Sequence, residues 1–255
     1  YYEMSGPVSA DDIQLSAILG PEIGLGDATL RANMQLEGGD NKLKITADGN
    51  LISLLYKKYQ YTNVNFAVDY DDNKIFAQIS TDEEHNKFDL TADIGFGEQM
   101  RFQVDGIIDR LFLSPIFQMR DWQNPYMAAR VEGKMSGATI DDLQGSLRID
   151  SVSLYDDNFI YNPGEIFLEA VTSDSVGQKK ISFASSFLDA QIVGDYHFAT
   201  IADQLIKVLQ PHLPTLIELP NSKKTPTQTE LVNNFNFNFN IKNTEDLSYA
   251  FSLPL

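Results

Sequence analysis

Apolar and polar residues alternate along most of this chain with a period of two. In residues 131–154, VEGKMSGATIDDLQGSLRIDSVSL, the apolar Val131, Met135, Leu143, Leu147 and Ile149 alternate with Glu132, Lys134, Gln144, Ser146, Arg148 and Asp150. That period gives a strand one dry face and one wet face. The stretch predicts a hairpin: Gly137 breaks the first strand and Asp141-Asp142 mark the turn. Gly145 falls on the apolar parity, where a missing side chain lets the sheet bend or another backbone come close.

The same alternation predicts strands over 13–25 and 28–36, around a Gly-rich turn at Gly24-Leu25-Gly26-Asp27. Further strands follow through Leu43, Ile45 and Ala47, then through Val64, Phe66, Val68 and Tyr70. Asp71-Asp72-Asn73 turns the chain into Ile75, Ala77 and Ile79, a plain hairpin. Phe88, Leu90, Ala92 and Ile94 continue the meander, as do Met100, Phe102 and Val104. Near the end, Phe235, Phe237, Phe239 and Ile241 face one way, and Asn234, Asn236, Asn238 and Asn240 the other. The pentads Ala47-Asp48-Gly49-Asn50-Leu51 and Val104-Asp105-Gly106-Ile107-Ile108 repeat with their glycines 57 residues apart (106 minus 49). A looser third copy stands at Val193-Gly194-Asp195, so the repetition is irregular.

One segment has a helical period, residues 200–210, with Ile201, Leu205, Val208 and Leu209 on one stripe, Thr200 and Asp203 as a capping-box start, and Pro211 and Pro214 beyond. Residues 220–230, PNSKKTPTQTE, predict a mobile loop. With one helix available, the apolar side of so many strands has too little to cover it and must be buried by the sheet folding over on itself. An open trough, apolar inside and polar outside, and a closed β-sandwich both satisfy that demand.

Charge narrows the possible partners. The net charge of -17 argues against nucleic acid, since no Lys/Arg stripe to neutralise phosphates is visible in the sequence, and it disfavours electrostatic docking on anionic headgroups. With no cysteine there is neither a disulfide framework nor a thiolate metal site. No apolar run reaches the ~18 residues of a membrane-spanning helix. The opening YYEMSGPV carries neither an initiator Met nor a signal-peptide pattern, which predicts an internal piece of a longer protein.

Sites of chemistry are sparse. Asp69-x-Asp71-x-Asn73 has the opening spacing of a calcium loop, but Lys74 replaces the glycine and Ser80 the bidentate Glu, so a turn is expected. His85, His197 and His212 lie far apart and form no metal-binding pair, and are expected at the surface. Asp156-Asp157 and Glu83-Glu84 suit solvated turns better than a glycosidase pair. Trp122 is expected to anchor a loop on the sheet. No nucleophile elbow, P-loop or dinucleotide fingerprint is present. The reading is therefore of a protein that is not an enzyme and takes no cofactor or metal.

The pattern G-x-x-x-G followed by D-L-x-G-x-L-x-I-D-x-V-x-L, at Gly133, Gly137, Asp142, Leu143, Gly145, Leu147, Ile149, Asp150, Val152 and Leu154, resembles the repeating segments of TamB and the wider AsmA-like family of bacterial envelope proteins. Residues 56–66 and 190–216 and the closing NFNFNFNIKN follow the same habit. The resemblance implies an all-β fold in which a long, curved antiparallel sheet folds into a U-shaped apolar groove, a β-taco with one short helix, spanning 1–255 as a single elongated segment. It also implies a periplasmic location in a protein anchored in the inner membrane through parts outside this segment. The function implied is carriage of phospholipid acyl chains between inner and outer membrane, with a TamA- or BamA-type outer-membrane barrel as partner. An alternative is an outer-membrane protein assembly module that pairs with client or partner β-strands. The expected groove lining is Val64, Phe66, Val68, Phe88, Leu90, Ile94, Phe102, Leu147, Ile149, Phe235, Phe237, Phe239 and Ile241.

Overall fold

The computed structural model describes residues 1–20, 23–39, 42–57, 59–97, 99–114, 122–157, 159–172, 178–197, 200–201 and 233–242. They form one open antiparallel sheet of thirteen strands in sequence order, each paired only with its neighbours in the chain. The strands are β1 (Tyr2–Gln14), β2 (Leu25–Gly39), β3 (Lys42–Tyr56), β4 (Tyr59–Asp71), β5 (Lys74–Asp82), β6 (Asn86–Phe96) and β7 (Met100–Phe112). Then come β8 (Tyr126–Gly137), β9 (Gln144–Tyr155), β10 (Ile160–Thr172), β11 (Lys179–Ala184), β12 (Leu188–Asp195) and β13 (Asn234–Ile241). Twelve gaps of ~4.8 Å make the sheet roughly 58 Å across. β1 and β13 do not meet, so the sheet is not a barrel, and among the described residues no second sheet forms a sandwich with it.

Local chemistry explains most boundaries. The expected hairpin at 71–73 has Asp72 and Asn73 at φ 43° and 67°, the left-handed pair of a two-residue turn, closed by Asp71 opposite Lys74. The turn after β8 is a short 3-10 segment over Ile140–Asp142, in which the Thr139 hydroxyl donates to Asp142 Oδ2 at 2.7 Å. The strand expected over 13–25 is absent. β1 instead runs from Tyr2 to Gln14, a five-residue helix α1 (Leu15–Leu19) follows, and β2 begins at Leu25. Leu15, Ile18 and Leu19 recur at helical, not strand, spacing, and Gly20 and Gly24 at φ 95° and 77° reverse the chain before β2. Of the helix expected over 200–210, only Thr200 and Ile201 are described, and both are helical. The loop expected at 220–230 lies outside the described residues.

A line of register breaks crosses the sheet toward one end of the strands. The breaks fall between β1 and β2 at Ala10/Ile13, between β2 and β3 at Ser53/Leu51, between β6 and β7 at Arg110/Ile108, between β7 and β8 at Ile108/Leu111, between β8 and β9 at Ser153/Asp150, and between β9 and β10 at Tyr161/Gly164/Ile166. Asp12, Asn63, Ser151 and Gly164 adopt left-handed φ along it. Each bulge bends its strand, and bulges at the same level in successive strands crease the sheet along its length. Ile108, Ala129, Val152, Leu154 and Tyr161 are buried at or beyond this crease. There Trp122 packs into a cluster with Leu113, Leu154 and Tyr161, edge-on to Phe159 at 5.4 Å, as the loop anchor expected.

Candidate functional site: a one-sided apolar trough

Partners in an antiparallel ladder share a face, so the registers trace which side chains stand in line across the sheet. One row runs through all thirteen strands: Gly6, Met34, Ala47, Val68, Ala77, Ala92, Val104, Gly133, Leu147, Leu168, Phe183, Ala190 and Phe239. Not one is polar. On the crease side it is flanked by Phe66, Ile79, Leu90, Gly106, Val131 and Ile149, each opposite the next. On the other side run Tyr70, Ile75, Ile94, Phe102 and Met135, and further along Ile181, Ile192 and Phe237. The opposite face is as consistent. Its central row, Ser5, Gln35, Thr46, Asp69, Phe76, Asp93, Gln103, Lys134, Ser146, Glu169, Ser182, Gln191 and Asn238, has a single apolar member.

All thirteen residues expected to line a groove fall on the apolar face. Val64 stands opposite Leu51, Phe88 opposite Ile108, Phe235 opposite Gly194 and Ile241 opposite Leu188, with the others in the three rows above. None is fully buried. Ten are half-buried, and Phe102, Phe237 and Ile241 remain 37%, 40% and 64% exposed. The apolar face is therefore not the packed interior of a sandwich among the described residues.

The floor of the trough was expected only in part: of its residues between β3 and β8, Val68 alone is among the thirteen. From β3 to β8 the middle row is Ala47, Val68, Ala77, Ala92, Val104 and Gly133, small residues between two rows rich in Phe, Ile and Leu. Walls taller than the floor make a furrow perpendicular to the strands. The other five floor residues share the apolar parity in the sequence, but parity alone does not set small residues apart as a floor.

Backbones approach closely on the apolar face at the repeated pentads. A Cβ on Gly49 would run into the Arg31 carbonyl, and one on Gly106 into the Asp89 carbonyl, so neighbouring backbones crowd together on this side. On the polar face, a Cβ at Gly95 would meet nothing nearer than Arg101 Cβ at 3.7 Å. The repeated pentads thus mark close backbone approaches, with Gly49 and Gly106 in the same row.

Polar groups brace the margins of the trough. Asn86 donates to the Tyr59 hydroxyl at 3.0 Å and accepts from Phe112 N at 3.1 Å, while Thr81, 5% exposed on the apolar face opposite Phe88, has no partner for its hydroxyl among the described residues. His85 and His197 are not idle surface groups. His85 meets the Tyr126 hydroxyl at 2.7 Å, and His197 meets Asp141 at 2.8 Å, tying the segment after β12 to the turn between β8 and β9. Lys179 adds a bond to the Tyr196 carbonyl and a pairing with Asp142. Asp156 and Asp157 accept from Gln123 N and Asn124 Nδ2, fixing the loop before β8. Burial pushes the Tyr61 and Tyr196 hydroxyls up to about 12. Among the described residues no group of His, Asp and Glu could hold a metal, and no helix is long and apolar enough to cross a membrane.

No family model, curated protein or solved structure matches this chain. What the molecule offers toward a function is thus its own geometry: an apolar face with a floor of small residues from β3 to β8 between bulkier walls, and a polar opposite face.

Proposed function

We propose that this chain is a lipid-conveying segment of a TamB/AsmA-like envelope bridge, whose furrow carries phospholipid acyl chains between inner and outer membrane. The unbroken apolar row crossing all thirteen strands is the observation that carries the reading. An acyl chain lying on a floor of Ala, Val and Gly between walls of Phe, Ile and Leu gains about 0.8 kcal/mol for each methylene it removes from water. The polar outer face keeps the assembly dispersed in an aqueous compartment, the periplasm in this proposal. The full protein would be anchored in the inner membrane and would meet a TamA- or BamA-type barrel at the outer one, through parts beyond this segment. No bond is made or broken, so no catalytic group or cofactor is required.

Gently purified protein is expected to carry phospholipid or detergent above trace level in native mass spectrometry, and to take up a fluorescent fatty acid. A lipid-free protein that takes up none would refute the proposal.

One observation favours a second reading, assembly by strand addition. β1 carries Pro7, the pair Asp11-Asp12 and a bulge, devices that discourage pairing at an edge, whereas β13 is eight residues of alternating Asn and Phe ending in Ile241, with no charge and no proline. Under this reading β13 would take up client strands as alternating peptides, and purified protein would bind such peptides while carrying no lipid.

A further inference from the structure

Lys74, Gly95 and Arg101 occupy one row of the polar face across β5, β6 and β7. The two cations stand two strand spacings apart, roughly 9.6 Å, with a glycine between them. Lys134, opposite Gln103, completes the group, and two adjoining hollows of about 360 and 560 Å³ share Lys74, Gly95 and Arg101 in their walls. All three cations are exposed, and among the described residues none makes an ion pair or a hydrogen bond. In a chain with 36 Asp and Glu against 19 Lys and Arg, that is unexpected. Asp72 and Asp93 also line the hollows but pair with none of them. The neighbouring hollow of about 450 Å³ shares Lys134 with the notch but is more acidic: Asp105 and Glu132 line it, and its Arg148 is held by Glu165 at 3.5 Å.

Position adds to the charge. The notch lies at the tips of the β4–β5 and β6–β7 hairpins, on the rim opposite the crease. On the apolar side of the same rim, Phe96 and Phe102 are 47% and 37% exposed. Farther along, the rim is bridged by the Asp141–His197 and Asp142–Lys179 contacts over a buried Tyr196. The rim is also open over β1 to β3, where Tyr2, Met4 and Leu43 are exposed, but it is beside the notch that an open furrow edge and unpaired cations occur together.

We propose that this notch binds the phosphate of a lipid headgroup whose acyl chain enters the furrow past Phe96 and Phe102. The inference rests on the acyl-chain reading above and extends it to the headgroup. A phosphodiester presents two non-bridging oxygens that share one negative charge, which suit a guanidinium fork on one side and ammonium groups on the other, and the absent Gly95 side chain leaves room between them.

The test compares three soluble probes by calorimetry: lysophosphatidylglycerol, a monoacylglycerol of the same chain length, and glycerol 3-phosphate. Two variants are used, K74Q/R101Q/K134Q and a control, K44Q/R130Q/K180Q, which removes the same charge from the same protein elsewhere. The notch variant is expected to weaken lysophosphatidylglycerol about tenfold, the worth of roughly one charge-assisted hydrogen bond, and to leave the monoacylglycerol unchanged. The control variant should match wild type. An equal loss in both variants, or none in the notch variant, overturns the headgroup site while leaving acyl binding intact. If no acylated probe binds but glycerol 3-phosphate does, and only the notch variant loses it, the site is one for free phosphate and both the lipid assignment and the groove reading fall. Far-UV circular dichroism confirms that these polar-face substitutions leave the sheet folded.

Discussion

Filling the floor of the furrow distinguishes an open groove from a packed interior. Ala92 sits midway along the small-residue row, opposite Ala77 and Val104, with Leu90 and Ile94 beside it in β6. In a packed core, Ala92→Phe adds a ring where there is no room and costs about 1–3 kcal/mol or more in overpacking. In an open furrow the ring stands in space already bordered by apolar walls, and stability should change by no more than about 0.5 kcal/mol. Binding should suffer instead. A ring blocking about one strand spacing of floor displaces roughly four methylenes of an extended chain, about 3 kcal/mol of burial or a hundredfold and more in affinity. Urea unfolding and titration with a fluorescent fatty acid, run on the same preparation, measure both. A variant destabilised by several kcal/mol would show that another layer packs on this face. A stable variant with undiminished uptake would show that the chain does not lie along this floor.

Phe237→Asp should leave a folded protein, destabilised by about 1 kcal/mol because the site is 40% exposed, yet deficient in fatty-acid uptake, whereas Asn236→Asp on the wet face should be silent; thermal melts beside uptake assays decide, and outright unfolding of Phe237→Asp would point to a dry core. Gly106→Ala should cost about 1–3 kcal/mol in chemical denaturation, since its Cβ has nowhere to go but the Asp89 carbonyl, while Gly95→Ala should be neutral or slightly stabilising. Stability should also fall at high pH. Tyr61 and Tyr196 ionise near 12 in the folded chain and near 10 when unfolded, so their contribution is intact below pH 10 and is lost as pH rises from 10 toward 12, measurable as a declining urea midpoint at constant slope.

The alternation of Val64, Phe66, Val68 and Tyr70, or of Phe235, Phe237 and Phe239, was enough to assign strands and to say which side chains share a face, because side-chain direction in a strand depends only on parity. Asp72-Asn73 disclosed its turn for an equally local reason, the tolerance of those residues for left-handed backbone. The stretch 13–25 misled because Leu15, Ile18 and Leu19 fit a helical turn as well as a strand, and a short apolar run does not separate the two by period.

What parity leaves open is how far each strand slides against the next. The registers that place Ala47, Ala77, Ala92 and Gly133 in one row, and so create a floor, come from backbone pairing between strands and from the bulges that interrupt it. The gathering of Lys74, Arg101 and Lys134 around Gly95 depends on the same pairings across four strands. The sequence by itself determined the two faces, their chemistry and the sites of the turns. Only the tertiary structure decided which residues stand in line across the sheet, because that follows from the strand registers, the bulges that shift them and the backbones meeting at Gly49 and Gly106, contacts between residues distant along the chain.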